Sequence, residues 1–210
     1  LDEPIWQTAP VATDFLQNQP KQGERATQRT EVRFAFDAAA SYVGARMYDD
    51  WGARGVRTRL VRRDADFSAD YIQVIFDTYH DHIGRLFFLV NPSGVKQDAN
   101  GLGGGGDPSW DPVWEVKTTI DSLGWTAEMR IPFSQLRFSP RDVQEWGVNV
   151  VRRVPMRNEQ SYWALVRRTE PGWSSRMGTL TGIRGIRPSH RVELLPYVAA
   201  DSRTAARTVS

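Results

Sequence analysis

His80 and His82 stand two residues apart in the stretch "FDTYHDHIG", with Asp77 and Asp81 beside them. In an extended segment that spacing puts both imidazoles on one side, where with a carboxylate they could hold zinc or copper. No third strong ligand is signalled nearby, since the remaining histidine, His190, lies near the chain end. The same stretch fits a hairpin loop joining strands 70–77 and 85–91, with Gly84 supplying a positive φ angle. The expectation is that exposed loop, without a transition metal.

Other reactive patterns are weaker. Glu115 and Glu128 lie on predicted strands and could face each other, but glycoside cleavage needs a carboxylate separation that sequence does not reveal, and a solvated sheet face explains them equally well. There is no G-x-S-x-G, and the glycine runs lack the lysine and hydroxyl of a phosphate loop. The chain is therefore expected not to be an enzyme. Asp98, Asp107 and Asp111, around the glycine-rich stretch "NGLGGGGDPSWDP", could offer oxygen ligands to a structural Ca2+. The competing reading is that they cap turns next to Pro108 and Pro112.

Composition bounds the partners. The chain has 210 residues, enough for one well-buried domain, and its 40% apolar and 25% charged residues are those of a folded protein. Net charge is only +2, although the pI is about 9.1. The basic groups are nearly all arginine, with lysine confined to Lys21, Lys96 and Lys117. They are scattered rather than gathered in a stripe, so nucleic acid is not an expected partner. The pairs Arg62-Arg63, Arg152-Arg153 and Arg167-Arg168 read as caps of strand ends or as solvated faces. The absence of cysteine excludes a disulfide scaffold and a thiolate metal site but leaves the compartment open. A chain starting at Leu1 reads as a mature or excised piece, and its longest apolar run, "LFFLV", is far too short for a membrane helix.

The elements that must position these residues are strands. Val32, Phe34 and Phe36 share one face of "EVRFAFD", and Ile72, Val74 and Phe76 one face of "YIQVIF". The same alternation aligns Trp114, Val116 and Ile120; Trp125, Ala127, Met129 and Ile131; and Trp146, Val148, Val150 and Val154. Further strands are predicted at 41–48, 85–90, 161–166, 177–183 and 191–198. About ten strands joined by turns such as "NPSG" and "EPGW" predict an all-β, antiparallel β-sandwich, jelly-roll-like, with long loops and almost no helix. "IPFSQLRF" reads as a strand ending at Pro132 and entering one helical turn, and residues 100–112 as a mobile surface loop that interrupts no core element. Trp125, Trp146, Phe34 and Phe76 are expected in the core.

Taken together, "LDEPIWQTAP", "SADYIQVIFDTYHD", "DPVWEVKTTIDSLGWTAEMRIPFSQLRF", "WGVNVVRR" and "GWSSRMGTLTGI" resemble the carbohydrate-binding-module family 9 domain, over residues 1 to about 187. "FDTYHD", "VNPSGV" and "EMRIPFSQLRF" are similar to the subgroup that precedes an outer-membrane β-barrel in bacterial surface proteins. The resemblance implies a β-sandwich over 1–188 and a non-catalytic role. Sugar-binding members hold a glycan end between two tryptophans, because a pyranose presents an apolar C–H face to a flat ring. One of these tryptophans falls on Trp173 and the other on Phe67; a hydroxyl-binding glutamate falls on Gln73, and an arginine on Leu89. Three of the four positions thus depart from the family pattern.

The resemblance also implies a place in the bacterial cell envelope, on the periplasmic or surface side of the outer membrane. Residues 189–210 would then be either the last sandwich strand or the start of a following outer-membrane β-barrel of the same longer chain. Three function classes follow: a carbohydrate-binding-like module, an interaction or gating domain of a barrel protein that has lost sugar binding, and a haem-binding sandwich domain. The last rests on Met47, Met129, Met156, Met177 and the histidines as axial candidates.

Overall fold

In the strand β5 (Tyr71–Asp77), Ile72, Val74 and Phe76 have no exposed surface while Tyr71 and Gln73 are half-buried, as a period-two pattern requires. The same rule builds the rest of the computed structural model, which describes residues 1, 3–65, 68–102, 105–107 and 110–188. One sheet contains five strands in the order β1 (Val11–Ala12), β3 (Thr30–Phe36), β4 (Ala40–Tyr48), β10 (Gly124–Pro132) and β9 (Glu115–Asp121). The other contains eight. Its path runs β2 (Leu16–Gln19), β12 (Glu159–Tyr162), β11 (Val143–Val154), β5, β6 (Gly84–Val90), β7 (Lys96–Leu102) and β8 (Gly105–Asp107), and β13 (Gly178–Arg184) also pairs with β11. Neighbours are antiparallel throughout. The one α-helix among the described residues, α1 (Pro4–Thr8), is five residues long. The chain is the antiparallel β-sandwich that its alternation predicts.

Between the sheets lies an aromatic mesh. Trp125, Trp146 and Phe76 are fully buried, and Phe34, half-buried, packs edge-on against Phe76 at 6.2 Å between ring centroids. Phe76 meets Trp146 edge-on at 6.0 Å, and Phe88 meets Trp114 at 5.4 Å. Such pairs each contribute about 0.5–1.5 kcal/mol beyond the apolar area they bury. After β10 ends at Pro132, a 3-10 turn covers Phe133–Gln135, as "IPFSQLRF" predicts.

Three expectations are corrected. Residues 100–112 are not a plain loop, because β7 and β8 form a hairpin there, with Asn100 opposite Asp107. Glycine carries no side-chain alternation, so the pattern was silent. The strand predicted over 161–166 instead covers Glu159–Tyr162. Beyond it, the Asn149 side chain takes over the pairing: its Nδ2 donates to Ala164 O at 2.8 Å, and its Oδ1 accepts from Ala164 N at 3.0 Å.

The third correction concerns Arg152, which is neither a cap nor solvated but 1% exposed between the sheets. It shares the inward parity of Trp146, Val148, Val150 and Val154. Its guanidinium ties the two sheets together, donating to Arg29 O at 2.8 Å, Thr30 Oγ1 at 3.0 Å and Tyr48 O at 2.6 Å. Burial pulls its pKa down to about 10, against the upward pull of Asp70, Asp49 and Glu159. Asp70 is itself fully buried, and burial pushes its carboxyl up to about 6 despite a hydrogen bond from Arg57 N.

Candidate ligand site

The strands β12 and β13 occupy one edge of β11 end to end, the first opposite Val151–Val154 and the second opposite Val143–Val148. Residues 163–177 connect them and cross the outer face of the eight-stranded sheet. Two glycines make that crossing possible. Gly172, at φ 77°, adopts a left-handed conformation that leads into the 3-10 turn Trp173–Arg176. At Gly178 any Cβ would fall 2.3 Å from the Trp163 ring, so only glycine lets that ring lie there.

The crossing places Trp173 over the sheet. Its half-buried ring lies edge-on to Tyr162 at 6.3 Å between centroids, and the Arg85 guanidinium stands 4.9 Å from its own centroid. On the same face, cross-strand pairing sets Tyr162 beside Val151, Val151 beside Gln73, and Gln73 beside Leu89. Gln73 is half-buried and makes no side-chain hydrogen bond among the described residues. Gln160 Nε2 donates to Tyr71 Oη at 2.9 Å. Burial raises the pKa of Tyr162, with Tyr71 adding to the rise and a hydrogen bond from the Trp173 side chain opposing it, so the phenol stays protonated and available as a donor.

Trp173 and Gln73, both assigned from sequence as ligand-binding, therefore share one surface. Phe67 lies outside the described residues. Leu89, where the resemblance would put an arginine, is 8% exposed and apolar, and its neighbours Ile75 and Val151 are 2% exposed. The floor of the site is thus greasy and largely covered, with Gln73, Gln160 and the two tyrosine hydroxyls as its polar groups. Sequence reading missed Tyr162 and Arg85. The alternation of "RLFFLV" would have turned Arg85 outward with Phe87 and Leu89, but the cover provided by 163–177 carries no strand signal.

The acidic residues around the glycine hairpin are drawn together by a cation of the chain itself. Arg63 Nη2 donates to Asp98 Oδ2 at 2.7 Å, pairs with Asp111 Oδ1 at 2.6 Å and donates to Pro112 O at 2.9 Å. Asp98 Oδ2 also accepts from Trp114 Nε1 at 2.9 Å. Burial raises the Asp98 pKa against these bonds. Asp107 sits on β8 opposite Asn100. Arg63 thus has a structural partner set that its reading as a cap or a solvated side chain did not foresee. Among the described residues no group of three or more His, Asp or Glu is placed to hold a metal ion.

The histidine stretch joins β5 to β6 as a hairpin loop held by Asp77, whose Oδ2 accepts from His82 N at 2.8 Å and whose Oδ1 accepts from Asp81 N at 3.3 Å. The left-handed residues are His80, at φ 53°, and His82, at φ 62°, rather than Gly84. Asp81 Oδ1 accepts from Ile83 N and Gly84 N, at 2.8 and 3.1 Å, so side-chain caps replace the glycine expected to make the turn. Of the haem candidates, Met47 and Met129 are buried core side chains, 0% and 2% exposed, and Met156 is 49% exposed.

No family model matches the sequence, and no curated protein matches it. Among solved structures the fold is similar to that of a carbohydrate binding module family 9 domain from Caldicellulosiruptor kristjanssonii in complex with glucose. The two share 17% identity over 93% of this chain and 92% of that one, with a TM-score of 0.60. The same kind of domain in complex with cellotriose aligns at 16% identity over 92% of each chain, also with a TM-score of 0.60. A "putative carbohydrate-binding protein" from Bacteroides uniformis ATCC 8492 aligns at 12% identity over 84% of this chain and 87% of that one, with a TM-score of 0.65. At these identities the likeness is one of fold: the chain has the sandwich architecture of family 9 carbohydrate-binding modules.

Proposed function

We propose that the chain is a non-catalytic carbohydrate-binding module of a bacterial outer-membrane or surface protein, which takes a sugar on the outer face of its eight-stranded sheet. The observation that carries this reading is the placement of Trp173 and Gln73 on one surface with the Tyr162 hydroxyl. A ring for the apolar C–H face of a pyranose and hydroxyl-binding groups beside it are the two things such a ligand requires. Support comes from the fold, which is shared with modules whose structures contain glucose and cellotriose. Gln73 and the tyrosines are neutral, and they give weaker hydrogen bonds to sugar hydroxyls than a carboxylate and guanidinium would. The affinity should therefore be modest. A glycan array probed with the isolated domain tests the reading, and no retention of any glycan would count against it.

A second reading, an interaction or gating domain attached to an outer-membrane barrel, draws on a specific observation. Leu89, Ile75 and Val151 turn the floor of the site apolar and closed where a sugar site would be polar and open. A domain that has exchanged sugar for a protein neighbour would show that change. Copurification of the barrel segment with a domain that retains no glycan would favour it.

A further inference from the structure

Arg85 is a buried cation without a hydrogen-bonding or charged partner among the described residues. It is 7% exposed, yet its guanidinium makes no hydrogen bond and no ion pair among the described residues, and its Nε is sealed from solvent with nothing to donate to. Its contacts are with aromatic faces, the Trp173 ring at 4.9 Å and the Phe87 ring at 5.7 Å from their centroids. Cation–π contact offsets part of the cost of desolvating a guanidinium, but leaves its planar fork of donors unused. Burial lowers its pKa. Arg152, the other deeply buried arginine, also has a sealed Nε without an acceptor, but its Nη1 and Nη2 donate to three acceptors, where those of Arg85 donate to none among the described residues. An arginine held this way has donors that no described residue of the chain uses.

That arginine lines a cavity of about 590 Å³ at the end of the sandwich, where the β5–β6 hairpin meets residues 134–138. Tyr79, Trp110 and Phe138 give it aromatic walls, and Asn100 and Gln135 give it neutral polar groups. Arg137 on its rim is a second guanidinium without a hydrogen bond or ion pair among the described residues. Two carboxylates, those of Asp77 and Asp81, also border the cavity. Both are engaged by backbone N–H groups of the hairpin loop, so their charge is partly met on the spot. The size is that of a small-molecule site, and the aromatic walls suit the apolar face of a sugar ring.

We infer that this cavity is a second subsite, distinct from the Trp173–Gln73 surface, and that it takes the carboxylate of an acidic sugar residue, with Arg85 as its bidentate partner and Arg137 closing over it. A carboxylate presents two oxygens in the geometry that a guanidinium fork matches, and the pairing is strongest where water is excluded. The inference deepens the carbohydrate-binding reading by naming an acidic glycan as the ligand class, but it stands on Arg85 rather than on Trp173. Because Trp173 covers the Arg85 guanidinium, the two subsites meet at that contact, and an acidic unit in one would place the next sugar near the other.

Calorimetric titration of the whole domain with glucuronate, galacturonate and glucose separates the two ideas. Binding of a uronate should exceed that of glucose, and Arg85→Gln should weaken uronate binding at least tenfold, by more than it weakens glucose binding. Arg137→Gln should weaken uronate binding less. The Arg85→Gln variant should keep its fold, since it removes an unpaired buried charge, and a circular dichroism melt checks this. Uronate binding that survives Arg85→Gln, or uronates that bind no better than glucose, would overturn the acidic subsite while leaving the Trp173 site standing. No heat with any of the three sugars would overturn the acidic subsite, and the Trp173 surface would then stand or fall on the wider panel of mono- and disaccharides.

Discussion

Gln73 and Leu89 are direct cross-strand partners on β5 and β6, facing outward side by side at the two positions where the family resemblance would put a glutamate and an arginine. Directly opposed residues of one face lie close enough to form an ion pair. The double substitution Gln73→Glu with Leu89→Arg is therefore expected to fold and to bind neutral sugars more tightly, by about tenfold, or ~1.4 kcal/mol. Leu89→Arg alone should lower the melting temperature, because it buries a guanidinium opposite a neutral amide. Calorimetry and thermal melts of the three proteins check both statements, and a double variant no better than the parent would show that this pair does not touch the ligand.

Asp70 predicts how stability depends on pH. Its folded pKa, near 6, lies above its ordinary value of 3.8, so its contribution is fully present below about pH 4 and is lost as pH rises through 6. Two pKa units correspond to about 3 kcal/mol at most. The domain should become more stable from pH 7 down to pH 5, and Asp70→Asn should flatten that slope. Urea unfolding at several pH values measures it; an unchanged slope in Asp70→Asn would remove Asp70 as the cause.

The fold was legible because most strands bury one face, and the alternation in "YIQVIF" or "WGVNVV" records that directly. Arg152 was legible in principle, since it falls on the inward parity of its own strand, but a charged residue there reads as an exception until the carbonyls of Arg29 and Tyr48 are seen to receive it. The β7–β8 hairpin was not legible, because glycines leave no side-chain pattern. At the candidate site Trp173 and Gln73 could be assigned by resemblance. Arg85 could not, because its lack of an acceptor among the described residues is a matter of three-dimensional placement that no local pattern reports.

Arg63 holds together two of the three aspartates, Asp98 and Asp111, that the sequence offered as calcium ligands. Because it sits between Asp98 and Asp111, Arg63→Gln should lower stability by about 1–3 kcal/mol, less than a fully buried pair would lose, since Arg63 is 32% exposed. Removal of divalent ions with a chelator should leave the parent's melting temperature unchanged. A melting temperature that rises with added calcium in the parent protein would show that a cation shares these carboxylates with Arg63.

The central claim is that a sugar is held against Trp173 on the outer face of the eight-stranded sheet. Calorimetric titration of the parent domain and of Trp173→Ala with a panel of mono- and disaccharides tests it most directly. The expected result is weak binding of at least one sugar by the parent and its loss in Trp173→Ala, a cost on the order of 1–3 kcal/mol for removing a stacking ring, with the sandwich still folded. Equal binding by the two proteins, or no heat with any sugar in the parent, would contradict the claim.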